Sequence, residues 1–465
     1  MSGMSAYDAI VIGTGQAGKP LALGLARAGR KTAIIERDDR VGGSCIVHGC
    51  TPTKTMVASA RVAYLARRAS DYGVTTGPVS VDLAKVRERK RAMVDRFSGS
   101  AQQGLENDEK VDLIFGEARF GGPRELRVKA RVGGELHLTA PLIFVNTGTR
   151  PRIPDIAGLA DVPFLTNSTI MELERTPEHL VVLGGGYVGI EFAQMFRRFG
   201  ARVTLVQRGS QLLQREDEDV ASEITRILLE DGIEVLLSAK TSSVARDGEG
   251  VTQVSVTNEK GARELLASEL LIATGRAPNT DRLGLEAAGI DRDRGGYVRV
   301  NERLETNVEG VYALGDVNGG PAFTHVSYDD YRIVETNLLQ GGNASTKNRL
   351  VPYCVFIDPE LGRVGLTEGE AKSRGLDYRV ARLPMSRVAR ALESDETRGF
   401  LKAIVDRKTE RILGAAVLGV AGGEVMTVLE TAMMGRLPYT AIRDGVFAHP
   451  TLSESLNNLF WSFDE

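Results

Sequence analysis

The stretch YDAIVIGTGQAGKPLALGLARAGRKTAIIE, residues 7–36, decides the fold. Its first part, Tyr7 to Gly13, is a short continuous apolar run and predicts a buried strand. Gly13-Thr14-Gly15-Gln16-Ala17-Gly18 follows, then a helical stretch to about Arg27. A second strand, Thr32–Ile35, ends at the acidic Glu36. Strand, GxGxxG, helix, strand and acid, in that order, make a dinucleotide site. Gly13, Gly15 and Gly18 let the backbone approach a pyrophosphate at the helix N-terminus. Glu36 then accepts hydrogen bonds from ribose hydroxyls.

The same grammar recurs further on. Leu180–Leu183 predicts a strand, Gly184-Gly185-Gly186-Tyr187-Val188-Gly189 the loop, Ile190–Phe199 the helix and Val203–Val206 the next strand. The interval from Gly13 to Glu36 and that from Gly184 to Gln207 are both 23 residues. Because the second copy keeps Gly184, Gly186 and Gly189, two dinucleotides are expected on one chain. The copies differ at the acid, where the second has Gln207 followed by Arg208. A carboxylate there would repel a 2′-phosphate, whereas an amide and an arginine bind it. NADPH is therefore expected at the second site. NADH stays open, since Gly189 at the third glycine position is more usual in NAD-type loops.

Between the copies lies Gly42-Gly43-Ser44-Cys45-Ile46-Val47-His48-Gly49-Cys50-Thr51-Pro52-Thr53-Lys54. Two of the chain's three cysteines stand in it. A regular helix holds residues five apart at about 8.7 Å between Cα atoms, and a disulfide needs less than about 7 Å. A Cys45–Cys50 bridge thus requires a loop or a distorted first turn. The glycines supply flexibility, with Thr51 as a candidate N-cap and Pro52 at the first helical position of a helix to about residue 67. Near a helix N-terminus a thiol's pKa falls and its thiolate becomes the reactive species. A structural disulfide is the alternative. The spacing is too wide for the usual zinc pair, so no metal site is expected.

Leu142–Val145 leads into Asn146-Thr147-Gly148, and Leu270–Ile272 into Ala273-Thr274-Gly275-Arg276. Both predict buried strands ending in tight turns, at the entry to and exit from the second unit. Gly310–Asp316 reads as a strand ending in an acid suited to sugar-like hydroxyls. From about Leu350, strand-like segments at Val351–Phe356, Phe400–Val405 and Ile412–Val420 alternate with a helix near Glu424–Met434. That pattern predicts a separate α+β domain. Apolar content of 42%, 26% charged residues and a net charge of −3 give no footprint for nucleic acid or an anionic membrane. No signal peptide or membrane span is visible. Few cysteines point to a reducing compartment, with the cytoplasm the expected location.

Taken together, the GxGxxG pair, GGxCxxxxCxPxK at 42–54, ATGRxPN at 273–279, GD at 315–316 and HPTxxE at 449–454 resemble the class I flavin-dependent pyridine nucleotide–disulfide oxidoreductases. That group includes mercuric reductase and dihydrolipoamide dehydrogenase, and the resemblance covers essentially the whole chain. It implies an α/β architecture of two Rossmann-like dinucleotide-binding domains plus a C-terminal α+β dimerisation domain. The expected boundaries are 1–150 with 271–345 for FAD, 151–270 for NAD(P)H and 346–465 for the dimer interface. FAD is expected against Gly13, Gly15, Gly18, Glu36, Gly43, Lys54, Thr147, Gly148 and Asp316. NADPH is expected against Gly184, Gly186, Tyr187, Gly189, Gln207, Arg208 and Gly275.

By the same resemblance, Lys54 and Glu191 lie beside the flavin, and Tyr187 covers the nicotinamide pocket. Cys50 is the flavin-facing charge-transfer thiolate and Cys45 the interchange thiol. His449, oriented by Glu454, is the acid–base residue, supplied by the partner of a homodimer. The implied activity passes a hydride from NADPH through FAD to the Cys45–Cys50 disulfide. From there electrons go to a small-molecule disulfide or a thiophilic metal ion, a role in cell redox homeostasis.

Several residues depart from the family pattern. His48 stands where an asparagine is common and reads as a hydrogen-bonded structural histidine, with thiol tuning or metal contact as alternatives. Cys354, in the apolar PYCVF, reads as core. Leu456, Leu459, Phe460 and Trp461 are expected to pack against the partner subunit. No cysteine follows Cys354, so a mercury(II) reductase would lack the family's usual C-terminal pair. The remaining alternative is the dihydrolipoamide dehydrogenase of a multienzyme complex, against which Gln207-Arg208 argues.

Overall fold

The computed structural model describes residues 4–463. They form two compact units. One takes its described residues from 4–56, 84–152 and 275–349, the other from 57–83, 153–274 and 350–463.

In the first unit the apolar run after Tyr7 becomes the strand Ala9–Ile12, buried along its whole length. It lies between Thr32–Glu36 and Leu142–Val145, parallel to both, and Val311–Ala313 extends the parallel set beyond Leu142–Val145. Burial on both faces explains why these strands read as continuous hydrophobic runs rather than alternating ones. The helix Gly18–Arg27 packs Leu21, Ala22 and Leu25 into the core on one face of the sheet. Val111–Gly122 starts parallel to Thr32–Glu36 and continues antiparallel to Glu125–Ala130, completing an eight-stranded sheet with Glu135–Thr139 and Met4–Ala6.

The second unit repeats the theme. His179–Leu183 is central in a parallel four-stranded sheet, flanked by Arg202–Val206 and Glu269–Ile272. The helix Tyr187–Phe199 follows the glycine loop and closes on Gly200 in the left-handed region, as a C-terminal glycine does. The same unit holds a five-stranded antiparallel sheet, in the order Tyr353–Val355, Glu360–Gly365, Ile412–Gly419, Phe400–Asp406 and Tyr378–Pro384. The helices Gly422–Met434, Tyr439–Arg443 and Ser455–Trp461 accompany it. The architecture is therefore two Rossmann-like sheets plus a C-terminal α+β layer, as the sequence predicts. Among the described residues no helix is long and apolar enough to cross a membrane.

Three expectations are corrected. Leu456, Leu459 and Phe460 are fully buried in their own chain's C-terminal core, beside Tyr439 and Ile442. Of that group only Trp461 is half-exposed. The reason is amphipathic: at helical spacing these three share the face turned to the sheet. Thr51 is not the N-cap, because the long helix runs Cys50–Arg67 and the Thr53 N–H already reaches the Gly49 carbonyl at 3.0 Å. Cys354 is only partly buried, since Tyr353–Val355 is an edge strand.

Candidate active site

The first glycine loop is shaped by contacts that exclude side chains. A Cβ on Gly13, whose φ is +104°, would sit 2.4 Å from the Asn146 carbonyl oxygen, and one on Gly18 would sit 2.1 Å from the Gly13 carbonyl oxygen. The Asn146 amide locks the loop, accepting from the Gly18 N–H at 2.9 Å and donating to the Leu314 carbonyl at 2.7 Å. Gly43 presses on the loop as well, where a Cβ would meet the Gly15 Cα at 2.7 Å. Two glycine turns lie backbone to backbone where a side chain would clash, the close-approach pattern of a pyrophosphate loop, so these residues fit a dinucleotide. Glu36 is buried at its strand end. It accepts from the Thr14 N–H at 3.1 Å and from the Thr14 hydroxyl, and the Gly42 N–H in turn reaches that hydroxyl at 2.9 Å.

The second loop reproduces these distances. A Cβ on Gly184, φ +113°, would lie 2.3 Å from the Ala273 carbonyl oxygen, and one on Gly189 would lie 1.9 Å from the Gly184 carbonyl oxygen. Gly186, by contrast, faces open space. The first and third glycines serve strand and helix packing while the middle one faces the ligand side, which fits a second dinucleotide. Gln207 is engaged in the loop, its Oε1 accepting from the Gly185 N–H at 3.1 Å and its Nε2 donating to the Gln211 carbonyl at 3.2 Å. Arg208 is exposed beside it.

The cysteines sit on two consecutive helices. Cys45 lies in the short Gly43–Val47, and Cys50 opens Cys50–Arg67. Gly49 permits the tight turn between them, because a Cβ there would come 2.8 Å from the Ser44 carbonyl oxygen. The hydrogen bond with Cys50, then burial, push the Cys45 thiol well up, while Thr324 and the Lys54 charge oppose the rise. Thr324, the first residue of the helix Thr324–Leu339, places its Oγ1 3.2 Å from the Cys50 Sγ. The His48 Nε2 lies 3.8 Å from the Asp38 Oδ2, both side chains partly exposed. Their hydrogen bond holds the Asp38 carboxyl below the usual carboxylate range, against burial.

Asp316 follows the strand Val311–Ala313 and accepts from the Thr149 hydroxyl at 2.9 Å. The Arg276 Nε donates to the same hydroxyl at 2.6 Å. Burial pushes the Arg276 guanidinium down from its ordinary value, against the nearby Asp316 charge. Thr147 and Gly148 are tied to Asn279 by three hydrogen bonds of 2.8 to 3.0 Å. In the second unit, the His449 Nδ1 lies 2.9 and 3.0 Å from the two Glu454 oxygens, with the imidazole largely exposed. Tyr187 and Glu191 stand one turn apart on Tyr187–Phe199, Tyr187 partly exposed and Glu191 buried.

Sequence reasoning missed Thr324, Thr149 and Asn146 as parts of these sites. Asn146 and Thr149 flank the Thr147-Gly148 turn, so the turn was visible but its wiring was not. Thr324 carries no local signal, since it meets the cysteines only through the topology.

Residues 7–330 match the family model described as pyridine nucleotide-disulphide oxidoreductase, and residues 351–460 match that family's dimerisation domain. The chain belongs to the class I pyridine nucleotide–disulfide oxidoreductase family. It is 41% identical over 460 residues, covering 98% of this chain and 99% of the relative, to the probable pyridine nucleotide-disulfide oxidoreductase RclA of Escherichia coli strain K12. It is 33% identical to a mercuric reductase of Lysinibacillus sphaericus, covering 99% of this chain and 83% of that one. A solved structure, the Cu(II) complex of the HOCl-induced flavoprotein disulfide reductase RclA from Escherichia coli, superposes with a TM-score of 0.90 at 40% identity, covering 98% of this chain and 99% of that chain. The chain is thus a flavin-dependent oxidoreductase acting on disulfides, of a family that uses FAD and NAD(P)H, and its C-terminal match supports a homodimer.

Proposed function

We propose that this enzyme is an FAD-dependent, NADPH-using reductase whose Cys45–Cys50 pair reduces a small disulfide or a thiophilic metal ion in the cytoplasm. The observation that carries the reading is the dithiol itself, Cys45 hydrogen-bonded to Cys50 at a helix start, with the Thr324 hydroxyl against the Cys50 sulfur. On this reading 1–150 and 271–345 hold FAD, 151–270 NADPH and 346–465 the subunit contact. FAD, when bound, supplies two-electron chemistry between nicotinamide and dithiol.

The chain's own residues then do the following. His449 of the partner subunit, held by Glu454 of the partner subunit, takes the proton from Cys45, whose thiol the Cys50 hydrogen bond and burial push up. The Cys45 sulfur attacks a substrate disulfide, forming a mixed disulfide and releasing one substrate thiolate, which the partner's His449 protonates. The Cys50 thiolate, stabilised by the Thr324 hydroxyl, attacks the Cys45 sulfur. That forms the Cys45–Cys50 disulfide and releases the second substrate sulfur as a thiolate, which takes its proton from solvent. With Cu(II), two ions accept one electron each from the Cys45 thiol and the Cys50 thiolate, giving two Cu(I), one proton and the same intramolecular disulfide. The Cu(II) complex of a relative 40% identical favours the metal-ion arm.

A steady-state panel tests the proposal, with NADPH and NADH against lipoamide, glutathione disulfide, other small disulfides, Cu(II) and Hg(II). Turnover of Cu(II) or a small disulfide, lost in Cys45→Ser, is expected. Efficient turnover of lipoamide alone would replace this reading with the dihydrolipoamide dehydrogenase one.

A further inference from the structure

Tyr187 and Glu191 are four residues apart on one helix and therefore share a face. A single extended segment meets both. The Tyr353 ring lies 6.5 Å from the Tyr187 ring, tilted by 51°. Three residues on, the Phe356 N–H donates to the Glu191 carboxylate at 2.9 Å.

The segment is itself fixed from behind. The Tyr353 hydroxyl donates to the buried Glu216 carboxylate. The Arg363 Nε lies 3.6 Å from the other Glu216 oxygen, with that side chain only 2% exposed. Among the described residues, both Arg363 terminal nitrogens and that Glu216 oxygen have no hydrogen-bond partner. Burying charged groups with unmet hydrogen bonds costs stability. Retaining such a group is the pattern of a site held for positioning rather than for packing.

Glu216 also connects to the nucleotide loop. It ends the turn that begins at Gln207, and within that turn the Leu213 N–H donates to the Gly185 carbonyl at 2.9 Å. A run of contacts thus leads from the glycine loop through Glu216 and Tyr353 to the Tyr187 ring and, by the backbone to Phe356, to Glu191.

We propose that Tyr353 and Glu216 are positioning residues for the nicotinamide half of the second nucleotide site. Tyr353 acts by backing Tyr187 and by carrying the strand whose end holds Glu191. The inference rests on the reading of 151–270 as the NADPH site.

The test is calorimetric binding of NADP+ and of 2′,5′-ADP, which lacks nicotinamide, to the FAD-loaded dimer. NAD+ and ADP-ribose are run in parallel, so that nucleotide preference does not decide the result. Tyr353→Phe and Glu216→Ala are expected to raise the ratio of dinucleotide Kd to nicotinamide-free Kd by about threefold or more, the effect of one hydrogen bond. Glu216→Gln, which keeps an acceptor for the phenol, should stay within about twofold of wild type, and Tyr187→Ala should shift the ratio as Tyr353→Phe does. An unchanged or lowered ratio in Tyr353→Phe and Glu216→Ala, with Tyr187→Ala shifted, overturns the inference alone. An equal rise in both Kd values also overturns it, because that is the signature of general structural damage. A ratio unmoved by Tyr187→Ala overturns the reading of the nucleotide site and the inference with it.

Discussion

Replacing Thr324 by valine removes one hydroxyl and keeps the β-branched shape of the side chain. In the structure that hydroxyl stands 3.2 Å from the Cys50 sulfur. Once Cys50 is a thiolate, the threonine is the only one of the two able to donate. A hydrogen bond to a charged group is worth about 1.5–3 kcal/mol, and the exposure of Cys50 selects the lower end. At about 1.4 kcal/mol per pH unit, the thiolate should lose about one unit of stabilisation. Losing a donor disfavours the charged form, so ionisation moves to higher pH. The assay is the long-wavelength absorbance of the two-electron-reduced holoenzyme, followed from pH 5 to 9. Thr324→Val should raise the midpoint by about one unit, and Thr324→Ser, which keeps the hydroxyl, should restore it. An unshifted or lowered midpoint in Thr324→Val would refute the assignment of Thr324 as donor to Cys50.

Cys45→Ser should keep that absorbance band at neutral pH and lose disulfide reduction, whereas Cys50→Ser should lose both; the band surviving only in Cys50→Ser would reverse the two roles. Arg208→Ala should reduce an NADPH preference of about tenfold, or about 1.4 kcal/mol, towards parity, as read from kcat/KM for both nucleotides. Mixing inactive Cys45→Ser chains with inactive His449→Ala chains should restore about a quarter of wild-type activity by random exchange; no recovery with heterodimers proven by mass would mean that each site is built within one chain. Leu459→Ala should lower stability by about 2–5 kcal/mol through the cavity left in the C-terminal core, measured by denaturant unfolding.

Much of the fold was legible because parallel strands buried on both faces leave uninterrupted runs such as Ile10-Val11-Ile12, and glycine loops leave fixed spacings. Both nucleotide loops were found by that signal, and the contacts at Gly18 and Gly189 explain why the third glycine persists in each. What stayed hidden was long-range wiring. Thr324 reaches Cys50 across 274 positions of sequence, and Tyr353 reaches Glu216 across 137. No local pattern encodes such pairs. The reading of Leu456, Leu459 and Phe460 as an intersubunit patch failed for a related reason. A helical apolar stripe states that a face is covered, and only the tertiary structure states by what.

That covered stripe has a consequence for assembly. His449 and Glu454 precede a helix whose apolar face is anchored in its own chain, so the acid–base pair is prefabricated before any second chain arrives. If each site joins this pair to the cysteines of another chain, a lone protomer is a folded body holding two unmatched half-sites. Activity would then fall with dilution while circular dichroism stays constant, and it would return on concentration with second-order kinetics. The quaternary equilibrium would act as a switch on chemistry without touching the fold.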